Sequence, residues 1–354
     1  MSTFKKHIQQ MGAYKPPLDG RDPDKHMLLD FNERTLPVSE AVCSALVDYI
    51  QAGRLQMYPA YGDVVDRIAE YANVPASQLM ITNGSDQGID LIFRAACTEG
   101  DEAIIPGPTF AMYMQCAKVE NLKIHSPSYT SDRGFPLTEV LSLINEKTRI
   151  ITIANPNNPS GTLVSREDII TIAKAASHAV ILVDECYFEY SALTVVDLVG
   201  QYPNLLVTRT FSKTWGIPSL RLGYIISAQE NILSLLNVRG PYDINQLAIV
   251  AIRAALENLD GIQSYVDEVM NESKPLLEQF LKSSGVEFWP SGGNFVWAFF
   301  DKPAEVQKTL FEQGILVRPK EDTDNRVGLR ITLGSKKQTQ YLLEVLGSCR
   351  GLGA

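Results

Sequence analysis

Lys213 is the residue with the most chemistry to offer. It lies in Thr210-Phe211-Ser212-Lys213-Thr214-Trp215-Gly216, directly after the apolar run Leu205-Leu206-Val207, which reads as a buried strand entering a loop. Burial lowers the pKa of an amine, and a neutral amine is a nucleophile toward carbonyl carbon. Arg221 follows eight positions later, and the hydroxyls of Thr210 and Ser212 flank the lysine. A guanidinium with nearby hydroxyls suits a phosphate, because arginine gives it a bidentate contact. A solvated lysine and an unrelated arginine also fit this stretch, so the rest of the chain must decide.

Four other stretches supply partners. Val183-Asp184-Glu185-Cys186-Tyr187 puts a carboxylate at the end of the apolar strand Val180-Ile181-Leu182-Val183. Such a carboxylate needs a cationic partner if buried, and a helix cap is its alternative role. Asn155-Pro156-Asn157-Asn158-Pro159-Ser160-Gly161 fixes a rigid turn after another apolar strand and presents an amide able to donate to a phenolate-type oxygen. Asn83-Gly84-Ser85-Asp86-Gln87 opens a helix after a strand, where backbone amides and the helix dipole favour an anion. Phe110, in Pro106-Gly107-Pro108-Thr109-Phe110, is placed either to stack on an aromatic ring or to fill the core. A Schiff-base lysine, a phosphate cup and a carboxylate for a ring nitrogen together describe a site for pyridoxal 5'-phosphate (PLP), with Asp184 keeping the ring cationic.

The elements that must position these residues alternate. Strands are predicted at 79–82, 103–106, 122–126, 150–154, 180–184, 205–208 and 222–226, with helices at 88–97, 109–117, 137–144 and 166–177 between several of them. This alternation implies a mostly parallel sheet covered by helices on both faces, with ligands gathering at the carboxyl ends of the strands. Earlier, Ser39 reads as the cap of a helix reaching Gly53, and another helix spans 63–72. After Tyr242 the pattern becomes helices at 246–258 and 263–283, then strands at 286–289, 294–300, 315–318 and 327–332 with helices at 304–313 and 335–346. That part reads as a small α+β domain.

The 354 residues carry a formal net charge of −9, which argues against nucleic acid as a partner, since sequence-independent binding needs a basic face. Hydrophobic content of 45% and charged content of 21% are those of a globular chain with a sizeable core. No apolar run approaches a membrane span, and the first residues lack the apolar region of a signal peptide. Cys43, Cys97, Cys116, Cys186 and Cys349 are odd in number and widely spaced, which fits reduced thiols in the cytoplasm. Four scattered histidines and no Cys-x-x-Cys suggest no metal site.

The order Asn-Pro turn, Asp184, Lys213, Arg221, each at a strand end, resembles the fold-type I PLP enzymes, aminotransferase classes I and II, and among these most resembles the histidinol-phosphate aminotransferases. Asn-Asn-Pro-Ser-Gly, Val-Asp-Glu-Cys-Tyr and Thr-Phe-Ser-Lys followed by Leu-Arg-Leu-Gly-Tyr carry the resemblance, which runs from about Tyr14 to Leu346. It implies that Lys213 holds the cofactor as a Schiff base and shuttles the proton, that Asp184 pairs with the ring nitrogen, and that Asn158 and Tyr187 hold the phenolic oxygen. Phe110 would stack on the ring, where relatives commonly have tyrosine. Ser85, Asp86, Thr210, Ser212 and Arg221 would surround the phosphate. Tyr58 would reach the phosphate of a neighbouring subunit's cofactor, which implies a homodimer with shared sites. Arg330 and Arg318 would take the substrate's anionic groups, with Tyr14 and Asn32 covering the substrate.

The division implied is an N-terminal, substrate-covering arm at 1–35, a large PLP-binding domain at 36–250 and a small C-terminal domain at 251–354. The activity implied is ping-pong transfer of an amino group between an amino donor and a 2-oxo acid, here histidinol phosphate and 2-oxoglutarate in histidine biosynthesis. An aromatic amino acid (Phe or Tyr) aminotransferase is the nearest alternative. Threonine-phosphate decarboxylase and a non-catalytic ligand-binding module that kept the fold stand further off. The segment Asp30-Phe31-Asn32-Glu33-Arg34-Thr35-Leu36-Pro37 departs from the commoner Asn-rich version and bears on substrate choice.

Overall fold

Short apolar runs separated by turn residues form twelve strands among the residues described in the computed structural model, which are 3–132 and 134–349. The first eight are β1 (Met27–Leu29), β2 (Leu79–Thr82), β3 (Glu102–Ile104), β4 (Lys123–His125), β5 (Thr148–Ala154), β6 (Val180–Asp184), β7 (Leu205–Thr210) and β8 (Gly223–Ser227). β9 (Glu287–Trp289), β10 (Phe295–Phe299), β11 (Ile315–Glu321) and β12 (Val327–Thr332) follow.

Seven of them form one sheet in the order β2-β8-β7-β6-β5-β3-β4. β4, β3, β5, β6 and β7 run parallel, and β8 is antiparallel to both its neighbours. The alternation of side chains along each strand splits the core in two. Ile150, Leu182 and Leu206 pack with the helices Gly84–Ala96, Ala111–Val119 and Gln229–Val238. Ile151, Ile153, Ile181, Val183, Leu205 and Val207 pack on the other face with Val64–Ala72, Arg166–Ala175 and Gln246–Leu256. Both faces are therefore dry, which is why the central strands read as continuous apolar runs rather than alternating ones.

The second sheet has the order β1-β11-β12-β10-β9, with β1 parallel to β11 and the rest antiparallel. Leu329 and Ile331 of β12, Val296 and Ala298 of β10, and Ile315 and Val317 of β11 share one core with the C-terminal helices. Arg330 and Trp297, which lie between those residues, and Arg318, which follows Val317, therefore lie on the opposite sheet face.

The α/β organisation with a small second sheet is the one the alternation predicts. Several details differ, three of them in the arm and the C-terminal part. The extended piece of the arm contributes β1 to the small sheet. The strand predicted to stop at Arg318 runs on to Glu321. The helix predicted at 263–283 starts at Leu259 and continues through a π-helical turn, Val269–Ser273, to Ser283. Among the described residues no helix is long and apolar enough to cross a membrane.

Candidate active site

The carboxyl ends of β5, β6 and β7 meet the start of the helix Gly84–Ala96, and a cavity of about 130 Å³ opens there. Ser85, Asp86, Phe110, Asn158, Asp184, Tyr187, Thr210, Ser212, Lys213 and Arg221 all line it. Ten residues drawn from positions 85 to 221 of the sequence are thus brought to one place by the parallel sheet.

A buried ion pair and a second carboxyl group fix the segment after β6. Glu185 is fully buried and accepts from Arg209 Nη2 at 2.8 Å, while Thr194 Oγ1 and the Val195 amide also donate to it. The Arg209 guanidinium lies 3.5 Å over the Phe188 ring. Glu189 accepts from Trp215 Nε1 and Thr214 Oγ1, which ties this segment to the loop of Lys213. With both flanks held, Asp184 and Tyr187 have little freedom.

Asp184 is buried, and Tyr113 Oη and Cys186 Sγ donate to its two oxygens at 2.6 and 2.9 Å. Burial pushes its pKa up, and the two hydrogen bonds offset that only in part. No cation pairs with it among the described residues. Lys213 Nζ donates to the Phe31 carbonyl at 2.9 Å and stands 5.9 Å from the centre of the Tyr187 ring. Burial pushes its pKa below the usual lysine range, which favours the nucleophilic form.

At the other side, Thr210 Oγ1 donates to Ser212 Oγ at 3.0 Å and accepts from the Ser212 amide at 3.1 Å. Arg221 adopts a left-handed backbone, φ 54°, and its Nη2 donates to Asp86 at 2.8 Å. Non-glycine residues in that conformation cost energy that the surroundings must offset. Gly84, at φ +72°, makes the approach possible, because a Cβ there would stand 2.5 Å from Arg221 Nη2. The first turn of the helix, with Ser85 and Asp86, thus presents free amide ends beside a guanidinium, a site for an anion.

Asn32 also has a positive φ, 56°. Its Nδ2 donates to Tyr187 Oη at 3.0 Å, and Thr332 Oγ1 accepts from its amide at 3.0 Å. Arg330 is buried, donates to Asn158 Oδ1 and to the Asp30 carbonyl, and makes no ion pair among the described residues. Arg318 lies across the ladder from it and 5.4 Å over the Phe31 ring. Tyr14 is 48% exposed and close enough to both arginines to interact with them electrostatically.

Five candidates do not line the cavity: Arg330 and Asn32 reach it through Asn158 and Tyr187, Arg318 and Tyr14 lie beyond them, and Tyr58 stands apart. Tyr58 is 78% exposed and packs on Tyr242, ring centres 4.6 Å apart. Conversely, Tyr113 and Cys186 line the cavity without having been picked out in the sequence. Both follow predicted residues closely, Tyr113 one helical turn after Phe110 and Cys186 two residues after Asp184, and that spacing was the available signal. Among the described residues no group of three or more His, Cys, Asp or Glu could hold a metal ion.

The residues fit PLP. A buried carboxylate without a cation is the complement of a protonated ring nitrogen, and the helix start with Arg221 is the complement of a phosphate. A model for the family "Aminotransferase class I and II" matches residues 24–346. The chain belongs to that family. Among its relatives, the histidinol-phosphate aminotransferase of Thermoanaerobacter sp. (strain X514) is 33% identical over 324 residues, 90% of this chain and 91% of that one. That of Bacillus subtilis (strain 168) is 32% identical over 360 residues, covering 97% and 98%. The crystal structure of histidinol-phosphate aminotransferase from Sinorhizobium meliloti, in complex with pyridoxal-5'-phosphate, superposes with a TM-score of 0.87 over 98% of each chain at 21% identity. This aminotransferase therefore has the fold-type I architecture the motifs imply.

Proposed function

We propose that this aminotransferase uses PLP to move an amino group between histidinol phosphate and 2-oxoglutarate. PLP, when bound, would supply an electron sink for negative charge developing at the substrate carbon that carries the amino group. Arg221, Ser85, Thr210, Ser212 and the amide of Asp86 would hold its phosphate. The Asp86 carboxylate does better as the partner of Arg221 than as a phosphate neighbour, since like charges repel. Asp184 would keep the ring nitrogen protonated, Asn158 and Tyr187 would hold the phenolic oxygen, and Phe110 would stack on the ring.

Lys213 would carry the cofactor covalently. Its Nζ, when free, would take the proton from the substrate carbon and hold it for return to the joined cofactor and substrate. Because the donor's amino group stays behind before the acceptor enters, the kinetics are ping-pong. Arg330 and Arg318 would receive the anionic groups of both substrates, with Asn32 and Tyr14 closing the arm over them.

The observation that carries the reading is the sharing of one cavity by a buried amine of lowered pKa, an uncompensated carboxylate and an anion cup. The substrate is supported by the relatives and by the two unneutralised arginines. A homodimer with shared sites is part of the proposal, supported by the exposed apolar run Leu55, Met57 and Tyr58. Residence in the cytoplasm is supported by five free cysteines. The division into an arm at 1–35 and domains at 36–250 and 251–354 is proposed on the same grounds, with β1 as the part of the arm anchored to the second sheet.

The test is a screen of single half-reactions. PLP-loaded protein is mixed in turn with histidinol phosphate, glutamate, phenylalanine, tyrosine and threonine phosphate, and the cofactor absorbance is followed. Histidinol phosphate and glutamate should convert it fastest. Faster conversion by phenylalanine would replace the named substrate with an aromatic one, and release of carbon dioxide from threonine phosphate would replace the reaction.

A further inference from the structure

Arg318 and Arg330 face each other across the β11–β12 ladder, and Lys320 is two residues further along β11, opposite Gly328. Side chains two apart on a strand share a face, so three cations stand together on the side of the small sheet away from its core. Like charges directly across a ladder repel, and such a cluster normally carries carboxylates among its members. Here none of the three makes an ion pair among the described residues. The carboxylate that both arginines sense, Asp30, has its two oxygens taken by Arg21.

The patch is also poor in acceptors. Arg330 Nε and the indole Nε1 of Trp297, the register partner of Arg330 on β10, are buried without an acceptor. Gly328 lets the Trp297 indole and the Phe299 ring pack on the backbone opposite Lys320, because a Cβ there would stand 2.5 Å from Trp297 Nε1 and 3.0 Å from the Phe299 ring. Burial and the two guanidiniums together lower the Lys320 amine to about 8. The Lys320 side chain makes no hydrogen bond or ion pair among the described residues.

A carboxylate brings one negative charge and two oxygens, which one guanidinium satisfies in bidentate fashion. A phosphate monoester near neutral pH brings almost two charges and three terminal oxygens. We propose that Lys320 is a specificity-determining residue which, with Arg318, receives the phosphate of the substrate, so that phosphate monoesters are favoured over singly charged amino acids. This rests on the reading of the neighbouring cavity as the site of amino transfer, and it names the group that distinguishes substrate classes there.

The test uses PLP-loaded protein and two probes that share a ring, phenyl phosphate and benzoate, with binding measured by calorimetry. The wild-type protein should prefer phenyl phosphate. Lys320→Met should reduce that preference about tenfold, the scale of a lost charge-assisted hydrogen bond, and leave benzoate affinity within about twofold. Lys320→Arg should restore most of the preference, and Lys320→Gln serves as a second neutral variant should Lys320→Met melt early. With histidinol phosphate, the neutral variants should raise KM and leave kcat nearly unchanged. An unchanged preference in the neutral variants, or an equal loss for both probes, overturns the role of Lys320. A phosphate preference that depends on Lys320 in a protein that does not turn over histidinol phosphate keeps the subsite and removes the named substrate. Turnover of histidinol phosphate with no effect of the substitutions does the reverse.

Discussion

Asp184 shows what a single residue contributes here and what it costs. Its carboxylate is surrounded by neutral donors, and burial raises its pKa above the unfolded value. The folded, unloaded protein then binds more protons than the unfolded chain between those two pKa values. Stability from this group is present below about pH 3.8 and is lost as pH rises through the folded pKa. At pH 7, Asp184→Asn should therefore raise the melting temperature of cofactor-free protein, by about 2 °C, while weakening PLP retention at least about tenfold, the loss of one charge-assisted contact. Melting curves with and without cofactor check this, and a variant destabilised in both states would contradict it. Asp184, Lys213 and Arg221 were legible in the sequence because a charge next to an apolar strand is anomalous. Tyr113 and Cys186 were not, because a tyrosine in an amphipathic helix and a cysteine in an apolar run are ordinary core residues until the fold turns them toward Asp184.

At the scale of elements, the strand-to-helix turn at Asn83–Ser85 holds the anion cup together. Gly84 is there because the backbone is left-handed and Arg221 approaches to where a side chain would be. Gly84→Ala should destabilise the protein by about 1–2 kcal/mol through the backbone alone, and should raise the PLP dissociation constant by displacing Arg221. Chemical denaturation and cofactor titration measure the two effects separately. Unchanged cofactor affinity would show that Arg221 is not part of the cup. Most strands were legible because the dry sheet makes their apolar runs continuous. The end of β11 was not, since Pro319 argues against a strand. It is tolerated because the last β1 partner is Val317, so at Pro319 that side of β11 is an edge. Lys320 was overlooked for the same reason. The helix Gln229–Val238 escaped notice because Ile232, Leu233, Leu235 and Leu236 give no clean stripe, and only Ile232 and Leu235 among them are buried.

For the whole molecule, Tyr58 carries the consequence of assembly. If it completes the partner's site, subunits of Tyr58→Ala and Lys213→Ala should complement each other. After dissociation and reassembly of an equal mixture, one of the two sites is intact in half of the dimers, so activity should reach about a quarter of wild type. Activity equal to the sum of the separate variants would mean that each site is built from one chain. The second sheet meets the first through long-range contacts, such as Arg330 to Asn158 and Asn32 to Tyr187, that no local pattern encodes. Their joint effect is to bring the arm, the small sheet and the large sheet together around one amine. The most direct measurement is borohydride reduction of the PLP-loaded protein followed by peptide mapping. The cofactor should be found fixed to the Lys213 side chain alone, with no labelling in Lys213→Ala; an adduct on a different lysine, or none, would contradict the proposed role of Lys213.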